Sequence, residues 1–379
     1  EVIGVDIVSM SLGWPSERTD GSGALDKAIE DARSLGTLVV VSAGNDGKSH
    51  WSQKFTNSVN NWHNFGNDAQ IFEFELTRGR LFTIDLTWYH GSGESTQDLD
   101  LYLYHINTDD SLDLVESSTW RHSVYSAPPW ERLSYRPSSA GTYGISIKNY
   151  SLTKDVEFRM VWDCICTPER YNSSGSIGSP GASRGALTVG AIEWNANVIA
   201  SYSSQGPTKD GRIKLDVIAP SHVSTSTYGD ISWSNDGFTG TSAAAPHVAA
   251  VAALLKSATP SLTADNLHDI LESSAIGDFG APGKDNIYGS GLIQSAMTII
   301  DIFPRTSSIT VDGVLYSPDQ LPIAKVWPVT SSHNLVIQDE ECISYGIKHL
   351  DDPIMWPFAC SSKIEFNSWE DSTTNPNRN

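Results

Sequence analysis

The stretch "TLVVVSAGN", residues 37–45, sets four apolar residues in succession with no polar residue between them. A strand of that kind has both faces covered, which is the condition of a parallel sheet lying between layers of helix. Upstream, "VDIVSMS" at 5–11 is a second short run rich in β-branched residues. Between the two, "GSGALDKAIEDARSLG" places Ala24, Leu25, Ala28, Ile29 and Ala32 at helical spacing and stops at Gly36. Strand, helix and strand in this order predict a parallel βαβ unit. Both strands then finish on one edge of the sheet, where open α/β sheets bind their ligands. Ser11, Leu12 and Gly13 are expected on that edge beside Asn45.

From about Gln70 to Trp162 the period changes to two. Phe72, Phe74 and Leu76 alternate with charged residues, as do Phe82, Ile84, Leu86 and Trp88; Leu99, Leu101 and Leu103; Tyr143, Ile145 and Ile147; and Val156, Phe158, Met160 and Trp162. Half-buried strands in series predict an antiparallel sandwich. The parallel pattern resumes at "GALTVGAIEW", 185–194, so the sandwich is read as inserted into a loop of an α/β domain. The expected division is 1–50 for the first part of that domain, 51–166 for the insertion, and 167–301 for the second part. Residues 302–379 form an extension of weak pattern whose tail, "SWEDSTTNPNRN", has a disordered composition. A core of its own predicts that the insertion is separable and that its removal spares the sheet edge.

The 379 residues carry 25 Lys and Arg against 45 Asp and Glu, a formal charge of −20. No basic cluster is available for nucleic acid or an anionic membrane, so neither is expected as a partner. No run of eighteen apolar residues occurs, so membrane insertion is not expected either. The opening residues lack the basic start and cleavage site of a signal peptide, and any targeting sequence is expected outside this chain. Four cysteines are few; Cys342 and Cys360 bracket a loop and are the easier pair to close, Cys164 and Cys166 being one residue apart. An oxidising compartment follows. Ten scattered histidines, without a His-x-x-x-His pair, argue against a zinc enzyme. Asp98, Asp100, Asp109, Asp110 and Asp113 offer oxygens for a structural calcium ion, but their spacing matches no defined loop. A solvated acidic face is the plainer reading.

Near the end of the α/β pattern lies "GFTGTSAAAPHVAAVAALLK", residues 237–256. It is apolar nearly all round, the mark of an enclosed helix, and Pro246 is tolerable only near its start. Ser242 therefore sits at a helix N-terminus, where unpaired N–H groups and the macrodipole favour a developing anion. A capping serine and a nucleophile both fit that position.

"GTSAAAPHVAAVAALL" resembles the nucleophile motif of the subtilisin-like serine proteases, the subtilases. "VDIVSMSLG" followed by "VVVSAGN" is similar to the family's substrate-binding strand and oxyanion asparagine, and "IGSPGASRGALTVGAI…IASYSSQGPTKDGRIKLDVIAP" to the stretch leading to the serine. The resemblance covers residues 1 to about 50 and 167 to about 300. It implies an α/β fold with a subtilisin-like parallel sheet, helices on both faces and an N-terminal part missing, interrupted by the antiparallel insertion. It implies a serine endopeptidase needing no cofactor, acting on a protein or peptide substrate through an acyl-enzyme on Ser242. Asn45 and the Ser242 N–H would bind the oxyanion, while Ser11, Leu12, Gly13, Ser42, Ala43 and Gly44 would bind substrate backbone. Family order runs Asp, His, Ser, so the aspartate and histidine of the triad are expected in an N-terminal segment upstream of this chain, which alone would be inactive. His247 points about 140° away from Ser242 around the helix and is read as a core residue. His50, His63 and His222 fall in segments read as loops near the edge, outside the family's histidine motif. Ala243, Ser221 and Ala250 stand where methionine, glycine and glycine are usual. The insertion resembles the small β-sandwich modules accompanying secreted bacterial peptidases, implying an extracellular or periplasmic protein. A non-catalytic relative that binds protein or glycan is the alternative.

Overall fold

Leu38–Ser42 forms a strand buried along its whole length. Its even-numbered residues Leu38 and Val40 join one apolar cluster and its odd-numbered Val39 and Val41 another, so each face has its own cover. The computed structural model describes residues 4–294 apart from 16, 90–96, 122–128, 229–236 and 278, together with strand backbone between 297 and 366. The central sheet comprises β1 (Ile7–Met10), β2 (Leu38–Ser42), β12 (Ala186–Glu193) and β13 (Val217–Ser221). They lie in the order β1-β2-β12-β13 with every pairing parallel. Helix α1 (Ala24–Ser34) covers the odd face through Leu25, Ile29 and Ala32. The even face is covered by α2 (Thr241–Ala258) and α3 (Ala264–Ser273), through residues such as Ala244, Val248, Leu255, Leu267 and Leu271. Full burial of one such aliphatic side chain contributes about 1.5–3 kcal/mol, which is why an all-apolar strand selects a three-layer arrangement. Helices on both faces of a parallel sheet are therefore present as expected.

Between β2 and β12 the described residues form nine strands in two antiparallel sheets. One joins β3 (His50–Lys54), β10 (Glu157–Asp163), β5 (Phe82–Tyr89) and β8 (Trp130–Tyr135). The other joins β11 (Cys166–Pro168), β4 (Phe72–Leu76), β9 (Gly141–Ser151), β6 (Asp98–Ile106) and β7 (Leu112–Ser118). The alternating residues of both sheets share one cluster, from Phe72 and Trp88 to Tyr143, Phe158 and Trp162. Alternation did not single out β3, β7, β8 and β11. In β7 most residues face solvent, and in β8 the buried positions are Glu131 and Leu133, so the apolar letters mislead about the phase.

Three further expectations change. Cys164 pairs with Cys166 in a disulfide, whereas Cys342 and Cys360 lie outside the described residues. Past residue 294 the described backbone forms eight strands in two antiparallel four-stranded sheets, and the first of them, Met297–Phe303, runs across position 301. The expected disordered tail, 368–379, lies outside the described residues. Finally, His50 opens strand β3, and His63 lies in the connection from β3 to β4, bridged to Asn57; both are completely buried.

Those two histidines make the antiparallel region sensitive to acid. His50 Nδ1 lies 2.6 Å from the Asn172 carbonyl, which can only accept, so Nδ1 carries the proton. His63 Nδ1 accepts from the Thr56 N–H at 3.1 Å, and its ring meets Phe65 and Phe158 edge-on. Burial, reinforced by Arg159, lowers His50 to about 3; burial, reinforced by Arg170, lowers His63 to about 4. The unfolded chain titrates these groups near 6.5, so it takes up protons first as the pH falls. Their contribution to stability is full above about pH 6.5 and is lost progressively toward pH 4. Urea midpoints measured between pH 7 and 4.5 should fall for the wild type. In His63→Gln, which offers an acceptor without a proton site, the fall should be smaller; an identical slope would remove His63 from this account.

Candidate active site

At the C-terminal edge of the parallel sheet lies a cleft of about 210 Å³. Residues 12–15, which follow β1, and residues 42–46, at the end of β2, form two of its walls; Gly178, Ser179, Thr241 and Ser242 complete it. Leu12, Gly13, Ser42, Ala43, Gly44, Asn45 and Ser242 thus meet around one space, although they come from segments about 200 residues apart in the chain. Ser11 joins them by donating from Oγ to the Ser242 carbonyl at 2.9 Å.

Ser242 is the second residue of α2, after an N-cap at Gly240. The neighbouring helix donors are already engaged: Thr241 N–H reaches Asn45 Oδ1 at 2.9 Å and Ala243 N–H reaches the Gly240 carbonyl at 2.9 Å. The Ser242 N–H lies between them, at the positive end of the helix, as the donor left for a bound group. Asn45 Oδ1 also accepts from Thr241 Oγ1 at 3.1 Å, and that hydroxyl accepts in turn from the Gly44 N–H at 3.2 Å. With its oxygen held twice, the Asn45 amide is fixed in plane, and among the described residues Nδ2 is its free donor edge.

Two glycines make this approach possible. Gly44 has φ +106°, and a Cβ there would meet Ser204 Oγ at 2.9 Å; Gly240, also at φ +106°, would bring a Cβ to 3.1 Å from Asn45 Nδ2. Only glycine adopts that backbone without strain. Ser221 acquires a role that the sequence did not reveal. Its buried Oγ accepts from the Gly240 N–H at 2.9 Å, donates to the Gly240 carbonyl at 3.0 Å and lies 2.7 Å from Tyr202 Oη. The residue at the end of β13 thereby holds both backbone polar groups of Gly240, the residue that precedes the helix.

No histidine lines the cleft among the described residues. His247 is half-buried, not a core residue, and its Nδ1 lies 2.7 Å from the Ala243 carbonyl one turn back. His222, at φ +57° just after β13, lies 4.0 Å from Glu193 Oε2.

Charged groups border the site. Asp26 on α1 is fully buried; its Oδ2 accepts from the Gly23 N–H at 3.2 Å and its Oδ1 from Ser179 Oγ at 3.4 Å. Burial pushes its carboxyl up to about 6, against those two hydrogen bonds. Burial also raises Asp46, next to Asn45, against the opposing charge of Arg159. For metals, Asp216, His268 and Glu272 bring ligand atoms together among the described residues. Lys284 Nζ already spans Asp216 at 2.7 Å and Glu272 at 2.5 Å, and Lys214 Nζ lies 2.5 Å from Asp216. Two ammonium groups fill the place of a cation. In the antiparallel region Asp100 accepts from Arg121 at 3.0 Å, whereas Asp109 binds Ser111 and Asp113 binds Asn107 in a turn.

A family model described as "Subtilase family" matches residues 2–71 and 163–291, just over half of the chain, and passes over most of the antiparallel strands. Bacillopeptidase F of Bacillus subtilis (strain 168) is 37% identical over 157 residues, covering 39% of this chain and 10% of that protein. Serine protease AprX of the same organism is 31% identical over 154 residues, 36% of this chain and 34% of that one. Subtilisin Savinase of Lederbergia lenta is 36% identical over 124 residues, 33% and 41% of the two chains. The chain thus matches less than half the length of each of these relatives. Among solved structures, the Clostridium perfringens CspB protease superposes with a TM-score of 0.54 at 18% identity, covering 76% of this chain and 64% of that one, a likeness of fold.

Proposed function

Because the chain belongs to the subtilase family, we propose that it is the nucleophile-bearing part of a serine endopeptidase. Ser242 Oγ attacks the scissile carbonyl carbon, and the carbonyl π-electrons move to oxygen as the tetrahedral oxyanion forms. Asn45 Nδ2 and the Ser242 N–H donate to that oxygen, in a place where the helix dipole adds to their effect. Collapse expels the amine, protonated by the base that took the serine proton, and leaves an acyl-enzyme for water to hydrolyse. The histidine base and its aspartate are proposed to come from sequence outside these 379 residues. The exposed backbone of residues 11–13 would pair with an extended peptide, residues 42–44 would line its path as the buried and half-buried wall at the end of β2, and the proposed chemistry uses no cofactor. The Cys164–Cys166 disulfide and the acidic surface fit an extracellular or periplasmic protein. Among the described residues no helix is long and apolar enough to cross a membrane.

The observation that carries this reading is the double hold on Asn45 Oδ1 by Thr241, which aims the amide donor into the space beside Ser242. The test is labelling of the full-length gene product with a fluorophosphonate. The adduct should map to Ser242 alone, and Ser242→Ala should lose both the label and peptide hydrolysis. Hydrolysis that survives in Ser242→Ala overturns the assignment; a full-length protein that neither labels nor cleaves supports a binding role instead.

A further inference from the structure

We infer that Arg159, on the antiparallel strand β10, is a positioning residue for the substrate cleft. The inference rests on the proposed reading of that cleft as a peptide site. In β10 the neighbours Phe158 and Met160 enter the sandwich core, and Arg159 points the other way, toward the parallel domain. It is only 3% exposed. Its guanidinium divides between two segments: Nη1 donates to the Pro15 carbonyl at 3.0 Å and Nη2 to the Ser176 carbonyl at 3.0 Å. The charge also lies 3.8 Å from Asp46 Oδ2.

Each of those contacts leads into the cleft. Pro15 ends the wall of residues 12–15, and Trp14 N–H beside it bonds the Ser179 carbonyl at 2.9 Å. Ser176 begins the segment that carries Gly178 and Ser179, and Asp46 follows Asn45. A planar fork with fixed donor directions sets the separation of two carbonyl groups in a way that a single ammonium cannot. The fork is anchored in an interior strand, held by β3 on one side and β5 on the other, so its position is given by the antiparallel sheet. On this inference the insertion contributes to the cleft at this residue. Without Arg159, two inward carbonyls lose a partner and Asp46 loses the charge opposing its burial. The 12–15 wall is then free to shift relative to Ser179.

A long peptide should detect that shift and a short one should not. The test uses the full-length protein with Arg159→Lys, which keeps the charge and one donor, and Arg159→Met, which keeps neither. Two substrates share the residue at the scissile bond: a single-residue anilide, and a hexapeptide that runs along the 12–15 wall. Arg159→Lys should lose about tenfold in kcat/KM on the hexapeptide, mainly through KM, and less than about threefold on the anilide. In a Ser242→Ala background, calorimetric titration with the uncleaved hexapeptide should show Kd rising by about the same tenfold when Arg159→Lys is added. Equal losses on both substrates with a lowered Tm would make Arg159 structural glue and overturn the inference. Absence of any hexapeptide binding by Ser242→Ala with Arg159 in place overturns it as well. If the wild type cleaves nothing but the Kd still shifts, the hydrolase reading fails while the role of Arg159 stands. Should Arg159→Met not fold, the decision rests on Arg159→Lys.

Discussion

Peptide hydrolysis by residues 1–379 alone is expected to fall about 10⁶-fold below that of the complete enzyme, the loss known in subtilisin when its histidine is removed. The serine proton needs an acceptor as the C–O bond forms, and the described residues around Ser242 do not supply one. Asn45 has its oxygen occupied by Thr241, Thr241 is itself an alcohol, and Asp46 is held against Arg159. His50 and His63 are buried among the antiparallel strands and tied to residues 172 and 56. What remains is binding and oxyanion stabilisation, about 10³–10⁴ over water. A fluorogenic hexapeptide assay on the purified chain, run beside the full-length protein, measures the difference. Turnover by the short chain above about 1 s⁻¹, abolished by Ser242→Ala, would reveal a base within these residues.

The second large effect belongs to Asn45. In the full-length protein Asn45→Ala should lower kcat by about 10²–10³, the size known for removal of this type of donor in subtilisin, and leave KM nearly unchanged. The amide contributes only when negative charge develops on the carbonyl oxygen, so the ground state loses little. The geometry adds a sharper expectation. In Asn45→Asp one carboxylate oxygen can still accept from Thr241, which turns the other toward the oxyanion. Two like charges then approach each other, and kcat should fall below that of Asn45→Ala. Paired kcat and KM measurements on the three proteins decide it; a change confined to KM would make Asn45 a substrate-binding group.

The sequence by itself determined the parts of this protein that depend on local pattern. An apolar run at 38–41 that no polar residue interrupts requires cover on both faces, and α1 and α2 provide it. Pro246 restricts where α2 can begin, which brings Ser242 to its N-terminus. The meeting of residues 11–13 with Asn45 was legible too, because parallel strands deliver their ends to a common edge; that Ser242 joins them was implied by the family resemblance. The tertiary structure alone decided the rest. Arg159 sits at an outward position of an alternating strand, and in the sequence it reads like any solvent-facing cation. Period two reports which face a side chain takes, but not what lies against that face. Only the docking of β10 on segments more than a hundred residues upstream made it a buried fork on Pro15. Ser221 is similar: a polar residue at the end of β13 becomes a clamp on Gly240 because two distant turns meet. The burial of His50 and His63, read from the sequence as lying in loops near the sheet edge, was hidden for the same reason. The Asn172 carbonyl that fixes His50 and the Phe158 ring against His63 come from far along the chain, and although Thr56 and Phe65 lie close to His63 in sequence, their spacing does not show that the ring is enclosed.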